Sequence, residues 1–571
     1  MHNPASEPRP SVFYNYVVHA PFDPASIKGD DTAKVVIAGA GPIGMTTALH
    51  LARFGIPSVV LEQELQVSHG SRALALTRRS YEILEQAGVV ERFVAKGLGW
   101  RSGRSFYRDR QVYRMELPHD DDERFFPVTN LQQQYIEEFL ADAIDANPLI
   151  ELRWGCKVTS LEQEPDKVRL TVDTPFGEYA LTTGWLIAAD GGRSAIRRAL
   201  NLRMEGTSYV GNFVIADIKA KLPLPTERLC YYDPEWSPGN NALIHRAPDN
   251  IWRFDFRLPE GTTPDEALAP AYLHDKIERI LDMIGHRVAW ELDWATVYSA
   301  SALTLGEYIH GRVIFVGDAA HVLPIFGVRG ANTGFQDCEN LAWKLALVEK
   351  DIADRSLLQT YSGERVRAAR EICDEAGKTT RFMTPPSFGY RLMRDAVLSL
   401  SLSQDFPRDL LHWRTSRPHV YTGSPLNSFP EDDARFDGGV ACGESARNVK
   451  LHDGSYLLSH MRTGFHLVYF GEGGPGDTEL PRLIAAARQA NVPVVTIRVA
   501  RSSPRAAGPD DADIVLHDAD GRIAQKYAAI PGSAYLLRPD LHVCARWLKA
   551  DAETFNAALL IASGQAPEVL Q

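Results

Sequence analysis

The most restrictive stretch of the chain is Val35-Val36-Ile37-Ala38 followed by Gly39-Ala40-Gly41-Pro42-Ile43-Gly44. A short apolar run that ends in glycine reads as a buried strand. Met45 to Phe54 has helical composition, Gly55 stops it, and Ser58-Val59-Val60-Leu61-Glu62 reads as a second strand. Strand, crossover helix and strand commit this region to a parallel sheet covered by helices. The three glycines act differently, since Gly39 makes the tight turn, Gly41 lets backbone approach a pyrophosphate, and Gly44 lets helix pack on strand. The helix opening at Pro42 and Ile43 presents unpaired N–H groups and a positive dipole end to phosphates. Glu62, 21 residues after Gly41 and followed by Gln63, sits where a carboxylate accepts ribose hydroxyls. A dinucleotide is the expected ligand, and the fingerprint alone leaves nicotinamide and flavin open.

The remainder bounds that reading. At 571 residues the chain has room for three to four domains at about 150 residues each. Its 44% hydrophobic, 23% charged and 9% aromatic composition is that of a folded globular protein. A formal charge of −12 disfavours nucleic acid and anionic membranes as partners. Six scattered cysteines form no C-x-x-C pair, so neither a metal cluster nor a dithiol centre is expected, and a reducing cytoplasm suits them. Met1 to Asp31 is polar and proline-bearing, unlike a secretory signal, and no apolar run reaches membrane length.

Two further strand-to-loop signals follow. Trp185 to Ala189 delivers Asp190-Gly191-Gly192-Arg193-Ser194, with Ser194 placed to cap a helix starting near Ala195 and Arg197 beyond it. Arg312 to Val316 delivers Gly317-Asp318-Ala319-Ala320-His321, then Pro324-Ile325-Phe326-Gly327-Val328-Arg329-Gly330-Ala331-Asn332 and a helix from Phe335 to Glu349. Taken alone, the first of these is an ordinary strand-to-helix turn, whereas the second puts backbone N–H groups and a helix N-terminus against something flat or anionic.

In this order, and spanning residues 34 to about 375, the three motifs resemble the single-component FAD-dependent aromatic monooxygenases, closest in layout to the hydroxyphenylpropionate and phenol hydroxylase types. The resemblance implies an FAD held by Gly39, Gly41, Pro42, Ile43, Gly44, Glu62 and Gln63, with Ser71 and Arg72 beside the phosphates. It also implies Gln133 at the flavin side, the strand around Val158 at the adenine, Asp190 and Gly191 in the second loop, and Asp318 on the ribityl chain. Pro324 would lie along the flavin ring, with Gly330, Ala331 and Asn332 reaching its pyrimidine edge. Ile325 and Arg329 depart from the usual pattern; Arg329 is either a fixed positive charge near that edge or a surface ion pair. NADH or NADPH would visit transiently, and reduced flavin would take up O2 as a C4a-hydroperoxide that attacks a phenol ring. The protein would favour the phenolate and exclude water.

Between Met204 and Ser301 the strands alternate, over 213–220, 228–233, 242–246 and 252–258, as expected of an antiparallel sheet walling the substrate. Tyr232, His245, Trp252, Arg253 and Phe254 are the candidate substrate contacts. Tyr232 and His245 are also candidate bases, with Pro324 at the reaction centre, whereas His321 reads as a packed structural residue. Which candidates face the pocket depends on strand register.

Past Pro385 the pattern changes to a connector with some helical composition. Phe465–Gly471, Glu479–Ala490, Pro493–Val499 and Ser533–Asp540 then give an α/β order resembling the thioredoxin-like domain of phenol-hydroxylase relatives without redox cysteines. The expected fold is therefore α/β: a Rossmann-like FAD domain (32–203 and 302–384) with an inserted, mainly antiparallel substrate domain (204–301). An extension (1–31), a helical connector (385–440) and the thioredoxin-like domain (441–571) complete it, the last serving structure or subunit contact, as in a homodimer. The activity expected is hydroxylation of a phenol or phenolic acid. A polyketide-tailoring hydroxylase or epoxidase, a flavin dehydrogenase and a flavin-bearing assembly protein stand as alternatives.

Overall fold

The computed structural model describes residues 2–324, 326–411, 417–472, 478–502 and 512–566. The glycine-bearing unit forms as its composition requires: strand Thr32–Ala38, helix Pro42–Arg53, strand Ser58–Glu62. Ala38 and the three residues before it are buried on both faces, which is why this strand carries no polar alternation. It lies between Gly177–Ala188 and Ser58–Glu62, parallel to both, and the parallel core continues to Val313–Phe315 on one side and Ile150–Trp154 on the other. Helices Gly330–Glu349 and Gln133–Asp145 pack on Pro42–Arg53 and cover this core. The ends of Thr32–Ala38, Gly177–Ala188 and Val313–Phe315 thus lie side by side, each feeding one of the three signal loops.

A second, eight-stranded sheet is built on Glu205–Ala220, Arg228–Tyr232, Asn241–Ala247, Ile251–Arg257 and Trp290–Thr304. It also takes in the hairpin Ser102–Tyr107 and Arg110–Glu116, whose first strand runs parallel to Arg228–Tyr232. That hairpin lies within 32–203, and its enrolment in the substrate-side sheet depends on pairing with residues more than 120 positions later. The face bearing Ala242, Ile244, Trp252, Phe254 and Phe256 packs on Leu273, Ile277 and Leu281 of helix Pro270–Met283. The opposite face turns toward the parallel domain.

The C-terminal region forms a five-stranded sheet centred on Phe465–Phe470, parallel to Val494–Ala500 and antiparallel to Ala534–Leu537. Helices Glu479–Gln489 and Ala552–Ala562 pack together beside it. It docks through buried charge: Arg538 donates to Glu364 (2.6 Å) on helix Leu357–Met383, and Asp540 accepts from Trp343 Nε1 (3.2 Å) on helix Gly330–Glu349. The polar N-terminal extension is also tied down. Arg9 reaches Val67 and Glu64, Tyr14 and Tyr16 are buried in the main core, and Ser11 donates to Asp293 (2.6 Å) of the second sheet.

Candidate functional site

The three signal loops meet. A Cβ added to Gly317 would stand 3.1 Å from the Ile43 side chain, and one on Gly334 would stand 2.7 Å from it, so the first loop and the Asp318 loop are in van der Waals contact. The second loop joins through Arg197, which donates to Gly192 O (2.7 Å) within its own loop and to Ala319 O (3.0 Å) in the third. Gly39 and Gly44 have no room for a side chain: a Cβ on the first would strike Ala189 O, and one on the second would strike Gly39 O. Gly41, by contrast, meets nothing within 4 Å, and it caps helix Pro42–Arg53 without a side-chain hydrogen bond. Here the helix opens its unpaired N–H groups onto free space.

Asp318 follows Gly317, which abuts Ile43 next to that space. Its side chain is exposed and makes no hydrogen bond among the described residues, and protein surrounding it pushes its carboxyl upward against the pull of His321 and Arg72. At the other end, Glu62 accepts from Ala40 N (2.8 Å) and Glu64 N (3.0 Å), with Gln63 exposed beside it and Val158 on the adjoining strand, tied in by Cys156 N to Glu62 O (2.7 Å). The open helix end, a carboxylate near it without a hydrogen bond among the described residues, and an acidic strand tip form a cradle that fits FAD.

Several candidate residues hold the loops that form the cradle. Gln133 Oε1 accepts from Arg72 N (3.2 Å) and Ala73 N (3.1 Å), while Ser71 Oγ accepts from Gln133 N (2.9 Å), which leaves the Arg72 side chain exposed near Asp318. Asp190 Oδ2 accepts from Ala195 N and Ile196 N, and Ser194 caps the same short helix, so this carboxylate organises its own turn; Gly191 beside it has open space. Helix Gly330–Glu349 begins five residues before the expected Phe335, so Gly330, Ala331 and Asn332 are its first turn, not loop. Their N–H groups are the free ones that every helix start presents. Asn332 also acts as a bolt: Oδ1 accepts from Thr77 N (2.8 Å) and Ser80 Oγ (2.6 Å), and Nδ2 donates to Ala75 O and Val328 O (both 3.0 Å). Val328 is held at φ 61°, an unusual conformation for a β-branched residue. Pro324 is buried just before this loop, Ile325 falls outside the described residues, and Arg329 is only 5% exposed, which removes the surface ion-pair reading.

His321 is a structural residue. Its Nε2 lies 2.8 Å from Asp337 Oδ2, which also accepts from Gly317 N (3.0 Å), and Asp337 Oδ1 accepts from Arg365 Nε (2.7 Å). Asp337 therefore fixes the backbone of the Asp318 loop, a role no motif announced.

On the second sheet, strand register divides the five candidate contacts. His245 pairs with Arg253, and both lie on the cleft-facing side with Tyr232; Trp252 and Phe254 point to the other side and are buried against helix Pro270–Met283. Their assignment to the substrate wall is corrected by the two-residue period of a strand. Arg253 is a clamp: it pairs with Asp217 through two 2.8 Å bonds and donates to Ser71 O, pinning the cofactor loop to the sheet. Neither candidate base suits proton removal. Burial, with Arg228 and Arg253 on either side, pushes His245 well below the usual imidazole range. Burial pushes Tyr232 well above the usual phenol value, and its hydroxyl contacts Met383 Sδ (3.2 Å). The same face carries Asp255 and Tyr298, which sequence reasoning missed; both have buried polar atoms without partners among the described residues. Around them Phe213, Cys230 and Leu243 form an apolar surface with Phe326, which follows the proline and packs on Phe213 at 5.3 Å.

A profile of the FAD binding domain family matches residues 32–376. The 3-(3-hydroxy-phenyl)propionate/3-hydroxycinnamic acid hydroxylase of Shigella sonnei (strain Ss046) is 27% identical over 526 residues, covering 90% of this chain and 92% of that protein. Its counterpart in Escherichia coli (strain K12) is 26% identical over 524 residues, with the same coverage. Among solved structures, the flavin-dependent monooxygenase PieE in complex with FAD and substrate superimposes with a TM-score of 0.78 at 22% identity, over 95% of this chain and 100% of that one. A ternary complex of aklavinone-11 hydroxylase with FAD and aklavinone does so at 0.73 and 24%, over 94% and 99%.

Proposed function

Because the chain belongs to the FAD binding domain family, we propose that it is an FAD-dependent monooxygenase that hydroxylates a phenol or phenolic acid at the expense of NADH or NADPH and O2. The observation that carries this reading is the open cradle between Gly41 and Asp318, roofed by a sheet face that is apolar except for a few buried polar groups. Bound there, FAD would supply the transfer of two electrons from the nicotinamide and the activation of O2. One oxygen atom enters the ring and the other leaves as water, while NAD(P)H and one proton are consumed.

The chain's own residues would bind, orient and shield. The N–H groups of the Pro42–Arg53 helix and the exposed Arg72 would meet the phosphates, Glu62 the ribose, Asp318 the ribityl hydroxyls, and the first turn at Gly330 to Asn332 the pyrimidine edge. Pro324 would border the ring, and Phe213, Leu243 and Phe326 would keep water from the reacting carbon. His245 would remain neutral and serve as a hydrogen-bonding wall. The strand order of the C-terminal sheet, with two parallel pairs and two antiparallel ones about Phe465–Phe470, supports reading it as thioredoxin-like. With all six cysteines free and no C-x-x-C pair, it would serve docking and subunit contact, as in a homodimer, in a reducing cytoplasm.

The likeness to PieE and aklavinone-11 hydroxylase favours a second reading, a tailoring hydroxylase for a larger polyketide ring system. A panel holding 3-hydroxyphenyl alkanoic acids, simple phenols and anthracyclinones separates the two. Substrate-stimulated NAD(P)H oxidation with O2 uptake and a hydroxylated small phenol is expected. Turnover of the polycyclic members alone would select the second reading, and nicotinamide oxidation without oxygen transfer would overturn both.

A further inference from the structure

The strand register sets side chains of the cleft-facing side in rows. One row holds His245, Arg253 and Asp217, with Arg228 continuing the register beyond His245. The next holds Cys230, Leu243, Asp255, Ile215 and Thr296. Asp255 thus sits mid-sheet between apolar cross-strand neighbours. It is 5% exposed, its carboxylate accepts no hydrogen bond among the described residues, and its Oδ1 is buried without a partner among them. Arg253 cannot serve it, because its guanidinium is engaged by Asp217 and Ser71 O. The nearby His245 Nδ1 and Tyr298 Oη also have no partner among the described residues, and they share this face with Phe213, on which Phe326 packs. Buried polar atoms left without partners cost stability, and such a group in a site calls for a ligand.

We propose that Asp255 is the substrate-facing base of this site, accepting the hydroxyl proton of the phenol on Oδ1. The inference rests on the phenol-hydroxylase reading above. In the step, the phenolic O–H bond breaks, an O–H bond forms on Oδ1, and the electron pair stays on the substrate oxygen. The negative charge spreads to the ortho and para carbons, where an electrophilic oxygen adds. After hydroxylation the carboxyl returns its proton to the product's oxygen. The charged and titratable groups around Asp255 are Arg253 on its own strand, Asp217, Arg228, His245 and Tyr298 on the others. Burial raises the Asp255 carboxyl to about 7, against the pull of Arg253 and with a further push from Asp217. That value suits a group that must both take and return a proton near neutral pH. Arg228 and Arg253 add positive potential that would favour the phenolate over the phenol, whose ordinary pKa is about 10.

The test compares the wild-type holoenzyme with Asp255→Asn, using 3-(3-hydroxyphenyl)propionate and a ring-fluorinated phenol that is already ionised at neutral pH. Asp255→Asn is expected to keep its flavin and melting temperature. It should form product from the ordinary phenol about 10²–10⁴-fold more slowly, lose the acid limb of the wild-type pH profile, and come within tenfold of wild type on the fluorinated one. Without turnover, the oxidised wild type should show the ultraviolet band of a bound phenolate at pH 8, and the variant that of a neutral phenol. If Asn destabilises the protein, restoration of Asp255→Ala by added formate replaces the comparison. A variant that matches wild type within twofold in rate, pH profile and bound-phenolate band would overturn the assignment, as would absence of formate rescue in a folded Ala variant. A wild type that ionises bound phenols but hydroxylates none would instead sink the hydroxylase reading and leave Asp255 as the base. A wild type that binds no phenol overturns both.

Discussion

Around the glycine turn, recognition is left to the backbone: Gly41 bears no side chain, the helix end presents N–H groups, and side chains such as Gln133, Asn332, Asp337 and Arg197 tie loops together. Some strands away, the cleft-facing side of the large sheet does the reverse, since its backbone is consumed by the ladder and buried atoms of His245, Asp255 and Tyr298 have no partner among the described residues. The difference teaches how each ligand can be varied. A phosphate site made of backbone suits a cofactor that never changes, whereas a face made of side chains can be rewritten one residue at a time without disturbing that turn.

The largest effect expected of a single change tests the packed part of the turn. Gly44→Val puts a side chain into Gly39 O, and backbone cannot yield as a side chain can. The loss should exceed the ordinary overpacking cost of about 1–3 kcal/mol, read as a collapse of soluble yield or of the urea midpoint. Breaking the buried charges that dock the C-terminal sheet comes next. Arg538→Met removes the cation shared by Glu364 and Asp540, leaving Lys344 as the cation on Glu364, and should cost about 3–5 kcal/mol, with the melting temperature as readout. If it costs under 1 kcal/mol, this region contributes nothing to the rigidity of the cradle.

The same contact predicts a pH dependence. Burial works to raise the Glu364 carboxyl, but Arg538 and Lys344 outweigh it and hold the group well below the carboxylate range. A depressed folded value means the stabilisation is complete above the unfolded pKa of about 4.3 and is lost as pH falls further. Glu364→Gln should therefore lower stability at pH 7 and flatten the acid slope of melting temperature below pH 4; an unchanged slope would remove Glu364 from the account. The smallest effect separates the two faces of the sheet. Phe254→Leu, on the helix side, and Leu243→Phe, on the cleft side, are both changes of buried residues that should cost about 1–3 kcal/mol, but only Leu243→Phe should raise KM. Equal KM effects would contradict the register argument.

Legibility from sequence follows the range of the interactions. Strand Ser58–Glu62 is observed over the residues expected, and the Ser194 cap is as read, because turn, cap and apolar run are all set by neighbours in the chain. Strands Phe465–Phe470 and Val494–Ala500 are likewise legible within a residue or two. Trp252 and Phe254 cannot be told from Arg253 by sequence, because facing depends on a register set by other strands. The hairpin at 102–116 hides its membership of the large sheet for the same reason. Tyr14 and Tyr16 lie in a polar, proline-bearing stretch whose composition disguises two buried rings. Asp337 has no motif at all, since its partners Gly317, His321 and Arg365 come from a preceding loop and a following helix.

The central claim is that FAD lies in the cradle between Gly41 and Asp318. Gly41 has an ordinary φ of −71° and free space where a side chain would go, so Gly41→Val should fold and fill only the room needed by a pyrophosphate. Visible absorbance per chain after purification reads this directly. The account predicts close to one FAD per chain in the wild type and little in Gly41→Val, with the two flavin-stripped proteins melting within about 2 °C of each other. Full flavin content in Gly41→Val, or a wild type that neither carries nor takes up FAD, would contradict it.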